Sequence, residues 1–145
     1  MIQRIQSVFL LIVVLCGVGL LISFGNPSID AGDFSSFQDI LGIISYILIY
    51  FSIILAVICI LRYKNRNLQI RICNWIIWIN LPILATSSYL CYLGALIAQT
   101  FTSSLNILLF LTWIILPVIS ITFTFIARRY IKKDEELVRS ADRIR

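Results

Sequence analysis

Long stretches without a charged residue are the feature that most constrains how this chain can fold. No Asp, Glu, Lys or Arg occurs between Ile40 and Leu61, or between Ile72 and Ala127. Spanning about 30 Å of hydrocarbon takes about 20 residues of helix, and four apolar segments reach that length. They predict transmembrane helices at about 5–24, 40–61, 73–98 and 105–127.

The composition supports a bilayer as the solvent for these segments. Hydrophobic residues make up 60% of the 145-residue chain and charged residues only 13%, whereas soluble domains are roughly 45–50% apolar. The runs are rich in β-branched residues, but in lipid only a helix or a closed barrel satisfies its own backbone. Alternating strands of about ten residues, which a barrel needs, are not seen. The predicted fold class is therefore all-α, an integral membrane bundle.

The chain divides into a membrane domain and a short tail. Residues 1–127 form the predicted four-helix transmembrane domain, and residues 128–145 form the tail. Gly25 and Pro27 end the first helix. The short polar segment 99–104 predicts an antiparallel hairpin of the last two transmembrane helices.

All positive charge falls on one side of this four-span plan. The twelve basic residues are Arg4, Arg62, Lys64, Arg66, Arg71, Arg128, Arg129, Lys132, Lys133, Arg139, Arg143 and Arg145. The other two loops have none, and the first of them carries Asp30, Asp33 and Asp39. By the positive-inside rule, both termini are expected in the cytoplasm. The expected location is a bacterial inner membrane.

Residues 1–25 also fit a cleavable signal peptide in part. Arg4 could supply its basic region and Ser23-Phe24-Gly25 its small-residue cleavage site. However, the apolar run exceeds the usual length of roughly 7–15 residues, which favours a retained first helix.

Both ends of the chain carry a family resemblance. Met1–Ser7 (MIQRIQS) leads directly into an apolar helix, and Lys132–Arg145 (KKDEELVRSADRIR) closes the chain. These stretches resemble an uncharacterised four-pass membrane protein family of the Bacteroidota. The resemblance implies the same topology and an inner-membrane location. It assigns no activity and no functional residue.

No constellation in the sequence indicates catalysis or a cofactor. There is no His, and the four cysteines form no Cys-x-x-Cys pair, so neither a zinc site nor a histidine-ligated haem is predicted. No charged residue lies deep in a predicted span, where ion pathways usually place one. We therefore expect no enzyme activity, no catalytic, cofactor-binding or metal site and, because the basic residues flank apolar runs, no nucleic-acid binding.

Uncharged polar residues and two prolines do lie within the spans. Helix 2 carries Ser45 and Ser52, and helix 3 carries Asn80 and Thr86. They could line a cavity for a lipid or quinone, but interhelical hydrogen bonding is the more ordinary role. Pro82 and Pro117 could similarly act as hinges, although static kinks are commoner.

The tail is the most informative segment for function. As an amphipathic helix it would place Leu137, Val138, Ala141 and Ile144 on an apolar face, which we interpret as a candidate partner-docking surface. The opposite face carries Arg128, Arg129, Lys132 and Lys133, which are candidate contacts for anionic lipid headgroups. Asp134 alone interrupts the apolar face.

The sequence thus predicts a non-enzymatic accessory or structural subunit of a bacterial inner-membrane assembly. Its expected partners are anionic lipid and another membrane or cytoplasmic protein bound through the tail. The alternative is a small transporter or a lipid- or quinone-handling protein that uses the polar residues of helices 2 and 3.

Overall fold

Four α-helices make up the described part of the chain. The computed structural model describes residues 2–24, 37–62, 65–98 and 104–143. Its helices are α1 (Ile2–Phe24), α2 (Phe37–Leu61), α3 (Arg66–Ala98) and α4 (Ser104–Arg143). The all-α prediction is confirmed, and all four helices are long and apolar enough to cross a membrane.

Two helices extend beyond the apolar runs that predicted them. α3 begins at Arg66 rather than at about residue 73. The backbone carbonyl of Asn65 accepts hydrogen bonds from the amides of Leu68 and Gln69, both at 3.1 Å, and so closes the first turn. α4 continues without a break through residue 127 to Arg143. Both helices therefore continue beyond the point where their side chains become polar.

The helices pack in a ring in chain order. α1 contacts α2 and α4, and α3 contacts the same two helices, whereas within the described residues no diagonal pair packs together. Contacts such as Cys59 with Cys73 and Phe9 with Tyr130 show that neighbouring helices are antiparallel. α1 and α3 therefore begin, and α2 and α4 end, at one end of the bundle, which we call the basic end.

The core consists of side chains three or four residues apart on each helix. This spacing is typical of bundles whose helix axes are nearly parallel or antiparallel to one another. The buried positions include Leu10, Val13, Cys16 and Leu20 in α1, Ser45, Ile49, Ser52, Ala56 and Cys59 in α2, Cys73, Ile76, Asn80, Ile83 and Ser87 in α3, and Pro117, Ser120, Thr124, Ala127 and Ile131 in α4.

The outer surface of the bundle is apolar as well. Large hydrophobic side chains such as Ile22, Ile47 and Trp78 are 62–76% exposed. Soluble monomers rarely expose apolar patches larger than a few hundred Å². A surface of this kind fits hydrocarbon as its surroundings, in agreement with the four candidate spans.

Candidate functional site

The end of α4 is fastened to the start of α3 by a partly buried ion pair. A guanidinium nitrogen of Arg66 lies 3.2 Å from a carboxylate oxygen of Asp134, and the two side chains are only 26% and 14% exposed. Arg66 also donates to the backbone carbonyl of Asp134 at 3.2 Å. Asp134, the one charged residue on the predicted apolar face of the tail, therefore turns toward the bundle and joins the tail to the start of α3.

A second contact follows one residue further along both helices. With its amide in the orientation that satisfies both side chains, Asn67 donates to the carboxylate of Glu135 at 2.7 Å. Charge-assisted hydrogen bonds of this kind are roughly twice as strong as neutral ones. The two contacts together define what we call the α3–α4 brace: Arg66 with Asp134, and Asn67 with Glu135.

A groove of about 660 Å³ lies beside the brace. Its lining combines the start of α3 with the extension of α4, and consists of Asn65, Arg66, Asn67, Leu68, Arg71, Glu135 and Val138. Leu68 and Val138 contribute exposed apolar surface from opposite sides. We call this the α3–α4 groove.

The predicted docking residues only partly belong to this groove. Val138 lines it, and Leu137 is 51% exposed. The backbone of Ala141 is helical, but its side chain lies outside the described part of the structure, and Ile144 lies outside the described residues. The structure thus adds Leu68 of α3 to the candidate surface, which the sequence alone predicts only in the tail.

The four basic residues predicted to contact lipid flank the buried Ala127 and Ile131 in the last packed turns of α4. Arg129, Lys132 and Lys133 are exposed, and Arg128 is half-buried. The guanidinium of Arg129 lies 5.4 Å from the centre of the Phe125 ring, which is within range of a cation–π contact. The described contacts place no carboxylate against any of the four.

Polar side chains of α2 and α3 meet inside the bundle. Ser45 donates to Thr86 at 2.8 Å, and Asn80 donates to Ser52 at 3.1 Å and to the Ile76 carbonyl at 2.8 Å. Ser45, Ser52 and Asn80 are buried. These groups therefore bond to one another, as in the interhelical interpretation of the sequence.

A thiol pair continues this line of contacts toward the basic end. The sulfur atoms of Cys59 and Cys73 are 3.8 Å apart, and Gln69 donates to the backbone carbonyl of Cys59 at 2.9 Å. All three side chains are buried. Within the described residues, no group of three or more His, Cys, Asp or Glu side chains is placed to hold a metal ion.

Both intramembrane prolines lie inside continuous helices. Pro82 is exposed on α3, and Pro117 is fully buried in α4. A proline removes one backbone hydrogen bond without ending a helix in lipid when neighbouring groups compensate.

Comparison with known families shows which family the chain belongs to. A family model described as "Domain of unknown function (DUF4293)" matches residues 2–144. The chain belongs to this family. The match covers all four DUF4293 helices and agrees with the resemblance to an uncharacterised family. No curated protein and no solved structure matches the chain significantly.

Several residues of the candidate site are not predicted by the sequence. The apolar runs place Arg66 and Asn67 in a loop, because hydropathy marks a span only where the apolar run begins. Their partners follow 68 residues later, and no local pattern links positions so far apart. Gln69 did carry a signal, since it precedes Cys73 by one helical turn on the buried face.

Proposed function

We propose that this chain is a non-enzymatic accessory or structural subunit of a bacterial inner-membrane assembly. It spans the membrane four times, with the basic end, both termini and the amphipathic tail in the cytoplasm. The distribution of all twelve basic residues supports this orientation. The resemblance to a family of the Bacteroidota supports the bacterial location.

The α3–α4 groove is the observation that carries the proposal. Leu68 and Val138 are 40% and 43% exposed and line the same groove, on a helix extension that the brace holds in place. Apolar centres with polar rims are typical of protein interfaces. A preorganised surface of this kind also lowers the entropy lost on binding.

The charges beside the groove favour a protein partner over a lipid. Asp134 offsets Arg66, and the carboxylate of Glu135 lines the groove itself. Helices that bind lipid surfaces usually carry a more uniformly basic polar face. The mixed charges match a partner segment that is itself mixed in charge and carries an apolar anchor.

The hydrogen bonds between α2 and α3 support a structural role for the polar residues of these helices, namely holding the two helices together. Ser45, Ser52, Asn80 and Thr86 were the basis of the alternative prediction of a transporter or a lipid- or quinone-handling protein. Since these side chains satisfy one another across the helix interface, the structure gives that alternative no specific observation.

Crosslinking in intact membranes tests the proposed function. We expect the native chain to yield defined crosslinked partners, and the double variant Leu68→Ser with Val138→Ser to lose them, because the apolar anchor of the groove is gone. Leu61→Ser is the matched control. Leu61 is an exposed leucine at the same end of the bundle, but it does not line the groove.

The outcomes separate the proposed roles. Recovery of a stable membrane or cytoplasmic protein from the native chain and from Leu61→Ser, but not from the double variant, supports the subunit. Unchanged crosslinks in a double variant that is inserted and expressed normally would contradict docking at this groove.

A further inference from the structure

A second groove lies on the outer face of α3, next to the first. Its volume is about 440 Å³, and it is lined by Arg71, Asn74, Trp75 and Trp78. Positions three, four and seven residues apart share one face of a helix. The four side chains therefore form one stripe that runs from the basic end into the apolar span. We call this the Arg–Trp groove.

The lining side chains present donors and a positive charge. Arg71 offers five N–H groups, Asn74 an amide NH₂ and each tryptophan an indole N–H, and Asn74 provides the only strong side-chain acceptor. Within the described residues Arg71 has no carboxylate partner, in contrast to Arg66. An arginine fork of this kind matches the geometry of a phosphate group.

The order along the stripe matches the order of groups in a phospholipid. Seven residues separate Arg71 from Trp78, about 10 Å along the helix axis. Trp75 and Trp78 are 64% and 69% exposed, three and six residues into the charge-free run that begins at Ile72. Exposed tryptophans on such spans sit at the headgroup level, with an apolar ring and a polar N–H.

From this arrangement we propose that the Arg–Trp groove is a binding site for an anionic phospholipid. Arg71 and Asn74 bind the phosphate of the headgroup, and the rings of Trp75 and Trp78 pack against the glycerol region and the start of the acyl chains. The site adjoins the proposed protein-docking surface and shares Arg71 with it. The proposal does not depend on a protein partner.

Tryptophan quenching by brominated lipids tests this site in the full chain. In a Trp113→Phe background, emission comes only from Trp75 and Trp78. The chain is reconstituted in vesicles that contain brominated phosphatidylglycerol or brominated phosphatidylcholine at equal mole fraction. We expect the phosphatidylglycerol to be preferred about fivefold, the effect of one basic residue near a lipid surface.

Three single substitutions locate the preference, and two of them remove the same charge. Arg71→Gln should bring it close to onefold, and Asn74→Ala should reduce it, while Arg62→Gln should retain it. Arg62 is exposed at the same end of the bundle but does not line the groove. Circular dichroism of the reconstituted variants verifies that each one is folded.

Three results would overturn the proposal. The first is equal quenching by the two lipids in the unaltered Arg71 chain. The second is a preference that survives in Arg71→Gln, or that Arg62→Gln reduces equally, since either would reflect only general surface charge. The third is displacement of the preference by soluble glycerol phosphate, which would show that the groove takes free phosphate esters.

Discussion

Single small residues set how closely the helices of this bundle approach one another. A Cβ atom built on Gly17 would lie 2.6 Å from Cγ1 of Ile53 in α2, nearer than real Cβ atoms come. Small residues permit such close packing in membranes, where dispersion contacts replace the hydrophobic effect between helices. Ser52 and Asn80 add a hydrogen bond between α2 and α3, and such bonds are worth about 0.6 kcal/mol on average.

Gly17→Ala should therefore destabilise the bundle. The added methyl group must push α1 away from α2 or move Ile53, and overpacking of this kind costs about 1–3 kcal/mol. Gly42→Ala is the matched control, because nothing lies within 4 Å of a Cβ at that position. It should leave the stability equal or raise it by up to about 1 kcal/mol. Unfolding in detergent measures both, and equal stabilities of the two variants would show that α1 and α2 are not in close contact at Gly17.

At the scale of the helix, some features of the structure could be predicted from the sequence and others could not. The number of helices followed from the apolar runs, because the cost of an unsatisfied backbone in lipid leaves few alternatives. The start of α3 did not follow from the apolar runs. Hydropathy measures only side-chain polarity and does not detect a polar helical turn such as residues 66–69, which backbone hydrogen bonds stabilise. The brace did not follow either, because Arg66 meets Asp134 only once the whole bundle has assembled.

The brace makes the direction of the tail depend on Arg66 and Asp134. Asp134→Asn keeps the shape of the side chain but removes its charge. Hydrogen bonds to charged groups contribute about 1.5–3 kcal/mol, and the partial exposure of this pair favours the lower end. Spin labels are attached to cysteines that replace Leu68 and Leu137. In this variant we expect the distribution of distances between the two labels to broaden and to shift to longer distances, as measured by pulsed electron paramagnetic resonance.

Exchanging the two charges provides the control for this experiment. Arg66→Asp combined with Asp134→Arg should restore a narrow distance distribution, whereas either reversal alone should broaden it. A distribution that stays narrow in Asp134→Asn would mean that packing of Ile131 and its neighbours, not the ion pair, sets the direction of the tail.

For the whole molecule, the ring of antiparallel helices makes topology the most direct test of the proposed orientation. In a background without the four native cysteines, single cysteines at Ser28 and Phe101 should react with an impermeant maleimide from outside the cell. Cysteines at Asn65 and Ser140 should react only after the membrane is opened. Labelling of a cysteine at Ser140 from outside would show that the orientation is the reverse of the proposed one. The α3–α4 groove would then lie on the wrong side of the membrane for a cytoplasmic partner.

The unbroken course of α4 has a mechanical consequence. Treated as a rigid rod pivoting at the brace, the helix has a long arm from Ser104 to Asp134 and a short arm from Asp134 to Arg143. The ratio of these arms means that any swing of the far end reaches the tip of the tail at about a third of its amplitude, and in the opposite direction. A partner seated beside this fulcrum would be displaced least of all.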